Sequence, residues 1–168
     1  MKTENDFNKY LTIQFKKIKW LKCVKTADKY TPGISDFMLW AQGKGAFLET
    51  KLIKKLPKLS SLLLRHPFSS KQVSFLRGMT SVAGCPAWGA IGVLEEKMIY
   101  CATSWMIPIE GNWTTMEFLK MRSKLDQTLY DDEKAIKEYP FDRVEELVID
   151  LFREQSKPIF GGPIIHVD

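Results

Sequence analysis

The sequence predicts an α/β domain in which a mixed β-sheet is covered by helices on both faces. Two observations lead to this fold class. Short apolar or alternating segments, bounded by glycine and proline, are typical of strands. Other segments repeat apolar residues every three or four positions, which is typical of helices, and they lie before, between and after the strands.

The first half of the chain predicts one helix and one hairpin. Residues 4–25 form an amphipathic stripe with lysines on the opposite face, which indicates a helix. After the break at Thr31-Pro32-Gly33, residues 36–40 and 46–51 are predicted to be strands. The glycine-rich turn at 42–45 separates them, so we expect the two strands to pair as a hairpin.

A basic connection, residues 52–68, follows the hairpin, and a helix then begins at Ser69 or Ser70 and ends near Met79. The rest of the chain alternates strand and helix patterns. It predicts, in order, a hairpin formed by 87–94 and 97–103, an edge strand at 105–109, a helix at 114–125, a polar loop or short helix at 131–133, a helix at 142–152 and an irregular tail at 158–168.

Composition fits one globular domain of 168 residues, with 45% apolar and 27% charged residues. No apolar run reaches the roughly 18–20 residues of a membrane span, and residues 1–6 lack the apolar core of a signal peptide. We therefore expect a cytoplasmic protein without membrane contact. Three scattered cysteines, Cys23, Cys85 and Cys101, favour free thiols over disulfides, and the sequence has no pattern for a structural zinc site.

Charge divides the chain unevenly. Residues 1–109 contain 17 Lys and Arg against 7 Asp and Glu, a net charge of +10, whereas residues 110–168 contain 8 against 13, a net charge of −5. We therefore expect a core domain at 1–109 and an acidic helical extension, 110–168, packed on the same domain. The basic part predicts an anionic partner, although ordinary solvated lysines would give the same count.

The candidate chemistry lies in the first hairpin. Side chains alternate along a strand, so Glu49 and Lys51 share one face and are about 7 Å apart, while Thr50 lies on the other face. If the hairpin pairs about its turn, Asp36 falls opposite Glu49 and Lys51. Local geometry alone then brings two carboxylates and one ammonium group together.

This group of side chains suits a divalent metal. Mg²⁺ prefers oxygen ligands, which Asp36, Glu49 and the main-chain carbonyl of Thr50 can supply. Lys51 would orient or deprotonate an attacking water, or neutralise developing charge. The alternative is a turn residue at Asp36 and an exposed charge pair on the strand. The apolar neighbours of the pair favour the functional interpretation, because charges in an apolar stretch are costly.

Three polar residues outside the hairpin allow more than one interpretation. Gln72 completes a capping box with Ser69, which is a sufficient structural reason for it, or else its amide points toward the metal site. The local pattern favours the cap. His66 is expected to be a surface or phosphate-contacting residue, and His166 belongs to the predicted tail.

Three segments together resemble the PD-(D/E)xK nuclease superfamily: 33–36 (GISD), 47–51 (FLETK) and 69–76 (SSKQVSFL). Within it, the chain is most similar to the RecU-type Holliday junction resolvases, in which an Asp, a Glu-x-Lys and a downstream Gln occur in this order. The similarity extends over about residues 30–105, including the basic connection and the apolar strand 87–93. It implies a restriction-endonuclease-like fold.

The resemblance also implies a Mg²⁺-dependent endonuclease, with Mn²⁺ as a substitute, acting as a homodimer on branched DNA. Its site would contain Asp36, Glu49, Lys51 and Gln72, with Glu4 as a further acidic ligand from the first helix. Two alternatives stay open, namely another PD-(D/E)xK nuclease for flaps, single strands or duplex sites, and a non-catalytic DNA-binding protein. The residues expected to contact DNA phosphates are Lys16, Lys17, Lys19, Lys54, Lys55, Lys58, Arg65 and Lys71.

Overall fold

A six-stranded mixed sheet forms the centre of the computed structural model, which describes residues 1–26, 33–122 and 136–153. Neighbouring strands follow one another in chain order, and only β3 and β4 are parallel. The strands are β1 (Lys22–Lys25), β2 (Phe37–Ala41), β3 (Lys44–Ile53), β4 (Ala87–Val93), β5 (Met98–Thr103) and β6 (Lys137–Pro140). The predicted mixed α/β sheet is confirmed.

Helices cover both faces of this sheet. They are α1 (Glu4–Lys17), α2 (Ser70–Ser81), α3 (Thr115–Arg122) and α4 (Val144–Arg153). The helices α1 and α4 pack on one face, around residues such as Phe7, Leu48 and Leu147. On the other face, α2 and α3 pack around residues such as Phe47 and Leu76. Two apolar cores therefore enclose the middle strands, and β4 is buried along its whole length. No helix in the described ranges is long and apolar enough to cross a membrane.

The predicted first hairpin is confirmed. Gln42 and Gly43 both have positive φ, 49° and 78°, which is the geometry of a two-residue turn that matches the twist of the strands. Pairing runs from Ala41 opposite Lys44 to Phe37 opposite Leu48. This register brings the residue before β2 next to the middle of β3, which extends two residues beyond the predicted end.

The segment between β3 and α2 is tied to the C-terminal part of the chain. The buried side chain of Asn112 accepts a hydrogen bond from the Leu64 N–H and donates one to the Leu64 carbonyl, at 3.0 and 2.8 Å. Phe68, four residues on, donates its N–H to the Gly111 carbonyl. Residues beyond 110 thus help to fix where α2 begins. The predicted helix from Ser69 or Ser70 and the hairpin of 87–94 with 97–103 are both confirmed.

The predicted helix at 4–25 is wrong beyond Lys17. Ile18 is extended and caps the helix through its N–H to the Phe15 carbonyl. Residues 22–25 form β1, which pairs antiparallel with β2. The helical stripe of the sequence ends where this non-local pairing begins, because the edge of β2 offers hydrogen bonds that a longer helix would leave unused.

The predicted edge strand at 105–109 is also wrong, because these residues form consecutive turns. Met106 donates its N–H to Thr103, and Gly111 donates its N–H to Pro108. The edge next to β5 is instead occupied by β6. The acidic segment is therefore not only helical, since it contributes a strand to the sheet as well as α3 and α4. Its division from the core at residue 109 stays a prediction, and residues 131–133 and 158–168 lie outside the described ranges.

Candidate metal and phosphodiester site

The predicted site residues come together at the start of β2 and the middle of β3. Asp36 directly precedes β2, and the hairpin register continues from the Phe37–Leu48 pair so that Asp36 lies beside Glu49. Its N–H donates to Glu49 Oε2 at 3.1 Å. Glu49 is 1% exposed, whereas Asp36 and Lys51 are each 8% exposed. Three ionisable side chains this close and this buried are unusual unless they pair or bind a ligand.

One oxygen of the Asp36 carboxylate is held by Thr50. Because β2 begins at Phe37, the Thr50 N–H has no strand partner on that side, and it donates to Asp36 Oδ2 at 2.9 Å. The Thr50 hydroxyl contacts the same oxygen. Within the described part of the chain, Asp36 Oδ1 accepts no hydrogen bond. The carboxylate is thus anchored through one oxygen, and the other is available to a ligand.

Glu49 is the most perturbed acid of the site. Its Oε1 accepts a hydrogen bond from the Gln72 amide and lies 3.5 Å from Lys51 Nζ. Burial, and then the nearby Asp36 carboxylate, raise the pKa of Glu49 to about 8, although Lys51 opposes the rise. A bound cation would favour the ionised form of Glu49, because its charge would offset the effects of burial and of the Asp36 carboxylate.

Lys51 links the hairpin to the first helix. Its Nζ lies 3.5 Å from Glu49 Oε1 and 3.5 Å from Glu4 Oε1, and it is 5.7 Å from the ring centroid of Phe68. Burial raises the pKa of Glu4, while Lys51 and, more weakly, His66 oppose the rise. The structure therefore brings Glu4 to the site as a partner of the ammonium group.

Gln72 fulfils both of the interpretations that the sequence left open. Its Oε1 accepts the Ser69 N–H at 2.8 Å and completes the capping box of α2. Its Nε2 donates to Glu49. One amide therefore fixes the start of α2 and orients a carboxylate of the site, because its two ends carry opposite hydrogen-bonding capacity.

Asn8 also belongs to the site region, and it was not among the predicted site residues. It lies one turn beyond Glu4 on α1, is 5% exposed, and contacts the Thr50 hydroxyl. A signal was present, since Asn8 lies on the same face of the helix as the apolar residues Phe7, Leu11 and Phe15. A polar side chain on a buried helix face needs a partner.

The donor set fits a hard divalent cation. Two carboxylates, a main-chain carbonyl and water form a ligand set that Mg²⁺ commonly uses. In the described ranges, no group of three or more His, Cys, Asp or Glu side chains is arranged to hold a metal ion. An ion here would depend on Asp36 and Glu49 together with non-side-chain oxygens. The metal-binding roles of the Thr50 carbonyl and of Glu4 stay predictions.

The eight predicted phosphate contacts are all exposed, but they surround the site unevenly. Lys54 follows the end of β3, about 10 Å from Lys51 at the rise of a strand, and Lys71 precedes Gln72. In contrast, Lys16 lies about 18 Å along α1 from Glu4 at the rise of a helix. His66 is exposed, and all three cysteines are free, as predicted.

Comparison with known proteins gives a limited result. No protein-family model matches the chain, and no curated protein does. Among solved structures, the chain is similar to Hjc, a Holliday junction resolvase from the archaeal hyperthermophile Archaeoglobus fulgidus. The sequence identity is 19% and the TM-score is 0.47, over 64% of this chain and 81% of that chain.

Proposed function

We propose that this protein is a Mg²⁺-dependent DNA endonuclease of the PD-(D/E)xK type, most similar to the RecU-type resolvases. The observation that carries the proposal is the meeting of Asp36, Glu49 and Lys51, each at most 8% exposed, with Gln72 bonded to the same glutamate. A buried ammonium group beside two carboxyl groups is suited to phosphodiester hydrolysis. Asp36 Oδ1, which accepts no hydrogen bond from the described residues, would be open to the metal ion.

Each side chain has a proposed role. Asp36 and Glu49 would hold the ion with the main-chain carbonyl of Thr50, and Mn²⁺ would substitute for Mg²⁺. When bound, the ion would acidify a coordinated water and stabilise charge on the phosphoryl oxygens. As an ammonium group, Lys51 would orient the attacking water or neutralise the charge that develops. In its neutral amine form, it would take the proton of that water. Gln72 would keep Glu49 in its ligating orientation.

The proposed substrate is a four-way DNA junction. The net charge of +10 in residues 1–109 suits a polyanion, and the lysines around the site would contact phosphates without reading bases. A junction has two equivalent cleavage points, which a homodimer with twofold symmetry would match. Other branched or single-stranded substrates form the second candidate, and DNA binding without cleavage forms the third.

A panel of DNA substrates tests the proposal. Synthetic four-way junctions, flaps, single strands and linear duplexes are incubated with Mg²⁺, with Mn²⁺ and with a chelator. We expect paired symmetric nicks in the junction that need the metal. Asp36→Asn should abolish cleavage and keep DNA affinity within tenfold, whereas Glu110→Gln, which removes an exposed acid far along the chain, should cleave normally.

The outcomes separate the candidates. Cutting of flaps or duplex without paired nicks in the junction would reject the resolvase and retain the nuclease. DNA binding without cleavage under either metal would leave the non-catalytic alternative. Gel filtration or light scattering of the DNA-free protein measures whether it is a dimer.

A further inference from the structure

The side chain of Asn8 is buried where an apolar residue would pack. It belongs to the face of α1 that carries Phe7, Leu11 and Phe15 into the core, and it is 5% exposed. A buried amide without partners is destabilising, because it loses the hydrogen bonds that it makes to water in the unfolded chain. In the described ranges, its side chain has one hydrogen-bond partner, the Thr50 hydroxyl, which is itself fully buried.

The Thr50 hydroxyl lies between two oxygen atoms, and both of them are hydrogen-bond acceptors. Its oxygen is within hydrogen-bonding distance of Asn8 Oδ1 and of Asp36 Oδ2. A hydroxyl has one proton and can donate to only one of them. The oxygen and nitrogen of an amide are almost the same in shape, and turning the Asn8 amide makes its nitrogen the donor to Thr50.

With the amide turned, the contacts form a directed chain in which each hydrogen bond has one donor and one acceptor. Asn8 Nδ2 donates to the Thr50 oxygen, and the Thr50 hydroxyl then donates to Asp36 Oδ2, which also accepts the Thr50 N–H at 2.9 Å. Hydrogen bonds in such a chain strengthen one another. Thr50 is also β-branched, so its hydroxyl has few orientations in which to lie.

We infer that Asn8 is a positioning residue for the proposed metal site. Through the Thr50 hydroxyl, it fixes the orientation of the Asp36 carboxylate, with Oδ2 held and Oδ1 presented to the divalent ion. The inference rests on the proposed function. It gives α1 a second link to the site, independent of the Glu4–Lys51 ion pair on the opposite face of β3.

The test measures Mn²⁺ affinity of the DNA-free protein by calorimetry, with unfolding curves for each variant. Asn8→Leu replaces the amide with an apolar side chain of similar size in an apolar surrounding, so it should keep the fold. Thr50→Val removes only the hydroxyl, and Thr50→Ser retains it. Thr12→Val is the control, because Thr12 bonds the Asn8 main-chain carbonyl and does not contact the site.

We expect Asn8→Leu to weaken Mn²⁺ binding by about tenfold, and Thr50→Val by about 10–100-fold, which is the range of substitutions that act through a metal ligand. Thr50→Ser should recover most of the affinity, and Thr12→Val should bind as the wild type does. The double variant Asn8→Leu/Thr50→Val should be no weaker than Thr50→Val, because the amide acts only through the hydroxyl.

Two results would overturn the inference alone, provided that the wild type binds Mn²⁺. One is an Asn8→Leu variant whose affinity is within twofold of wild type. The other is a double variant whose loss is the product of the two single losses. A wild-type protein without measurable Mn²⁺ affinity would instead overturn the proposed function, and the inference with it.

Discussion

The two faces of β3 carry different parts of the same site. On the face toward α2, called the charged face below, the Glu49 carboxyl group and the Lys51 ammonium group lie 3.5 Å apart. On the face toward α1, called the neutral face below, the uncharged side chain of Thr50 contacts Asp36 and Asn8. Asp36 links the two faces, because Thr50 donates to its carboxylate and its own N–H donates to Glu49. A strand alone alternates its side chains but does not fix their orientation.

The largest expected effect comes from the charged face. Lys51→Met keeps the length of the side chain and removes the ammonium group between Glu49 and Glu4. We expect the cleavage rate on a four-way junction to fall by about 10²–10³-fold, as when one group that stabilises transition-state charge is removed. Single-turnover kinetics with saturating Mg²⁺ measure it.

Lys44→Met is the matched control, because Lys44 is an exposed lysine on the same strand. Its cleavage rate should stay within twofold of wild type. DNA affinity should change by less than tenfold in both variants. If Lys51→Met cleaves at the wild-type rate, the charged face is not the reactive one, and the comparison between the two faces fails.

Glu49 makes the stability of the metal-free protein depend on pH. Burial raises its pKa to about 8, whereas an unfolded glutamate titrates at about 4.3. Between these values only the folded state keeps the proton, so the free energy of unfolding falls as pH rises. The stabilisation is complete below about pH 4 and is lost as pH rises through about 8.

Urea denaturation in chelator at pH 5, 6, 7 and 8 measures this slope for wild type and Glu49→Gln. The glutamine keeps the shape and does not titrate, so the difference between the two proteins isolates Glu49 from other groups. Between pH 5 and pH 8, we expect the free energy of unfolding of the variant to rise by a few kcal/mol relative to that of the wild type. Added Mg²⁺ should stabilise only the wild type there. A difference that stays constant with pH would contradict the assignment.

Substitutions at Gln72 can distinguish its structural role in capping α2 from its proposed role in orienting Glu49. Gln72→Glu keeps an acceptor for the Ser69 N–H, and glutamate is a normal residue at this position of a capping box. The substitution removes the donor to Glu49 and sets a carboxylate against it. We expect the free energy of unfolding to stay within about 1 kcal/mol of the wild-type value. The cleavage rate should fall by about 10–100-fold.

Gln72→Ala serves as the comparison, because it removes both contacts. It should lose about 1 kcal/mol of stability through the cap in addition to activity. The pair therefore measures how much of the role of Gln72 is structural. If Gln72→Glu cleaves as fast as wild type, the hydrogen bond from the amide to Glu49 does not contribute to activity. Gln72 would then only cap α2, as the local sequence pattern favoured.

The charged face could be predicted from the sequence because it depends on short-range geometry. A two-residue turn sets the register, and the alternation of side chains then fixes which of them meet Asp36. The Ser69–Gln72 capping box is equally local. The sequence could not decide whether the Gln72 side chain caps α2 or reaches the site. The answer depends on where α2 lies over the sheet.

The neutral face could not be predicted, because it depends on how distant segments pack. Asn8 meets Thr50 across 42 residues, and only the docking of α1 on the sheet brings them together. The same limit explains the error at residues 22–25, where pairing with β2 overrides a helical pattern. It also explains β6, which occupies an edge that the sequence assigned to 105–109.

The smallest expected effect concerns the lysines that surround each face. Lys54 and Lys71 adjoin the face of Glu49 and Lys51, whereas Lys16 and Lys17 lie in the last turn of α1, which packs on the face of Thr50. Each phosphate contact contributes about 0.9 to the dependence of log K on log salt. We expect Lys54→Ala/Lys71→Ala to lower that slope by nearly 2 on junction DNA and to weaken binding several-fold.

Lys16→Ala/Lys17→Ala is the matched pair, with the same loss of two exposed charges from the other side of the molecule. Because these residues lie about 18 Å along α1 from Glu4, we expect a smaller change in slope than for Lys54→Ala/Lys71→Ala. Equal changes would mean that DNA crosses both faces and wraps the end of α1. A larger change for the α1 pair would move the DNA path away from the charged face, and would separate binding from the proposed reactive groups.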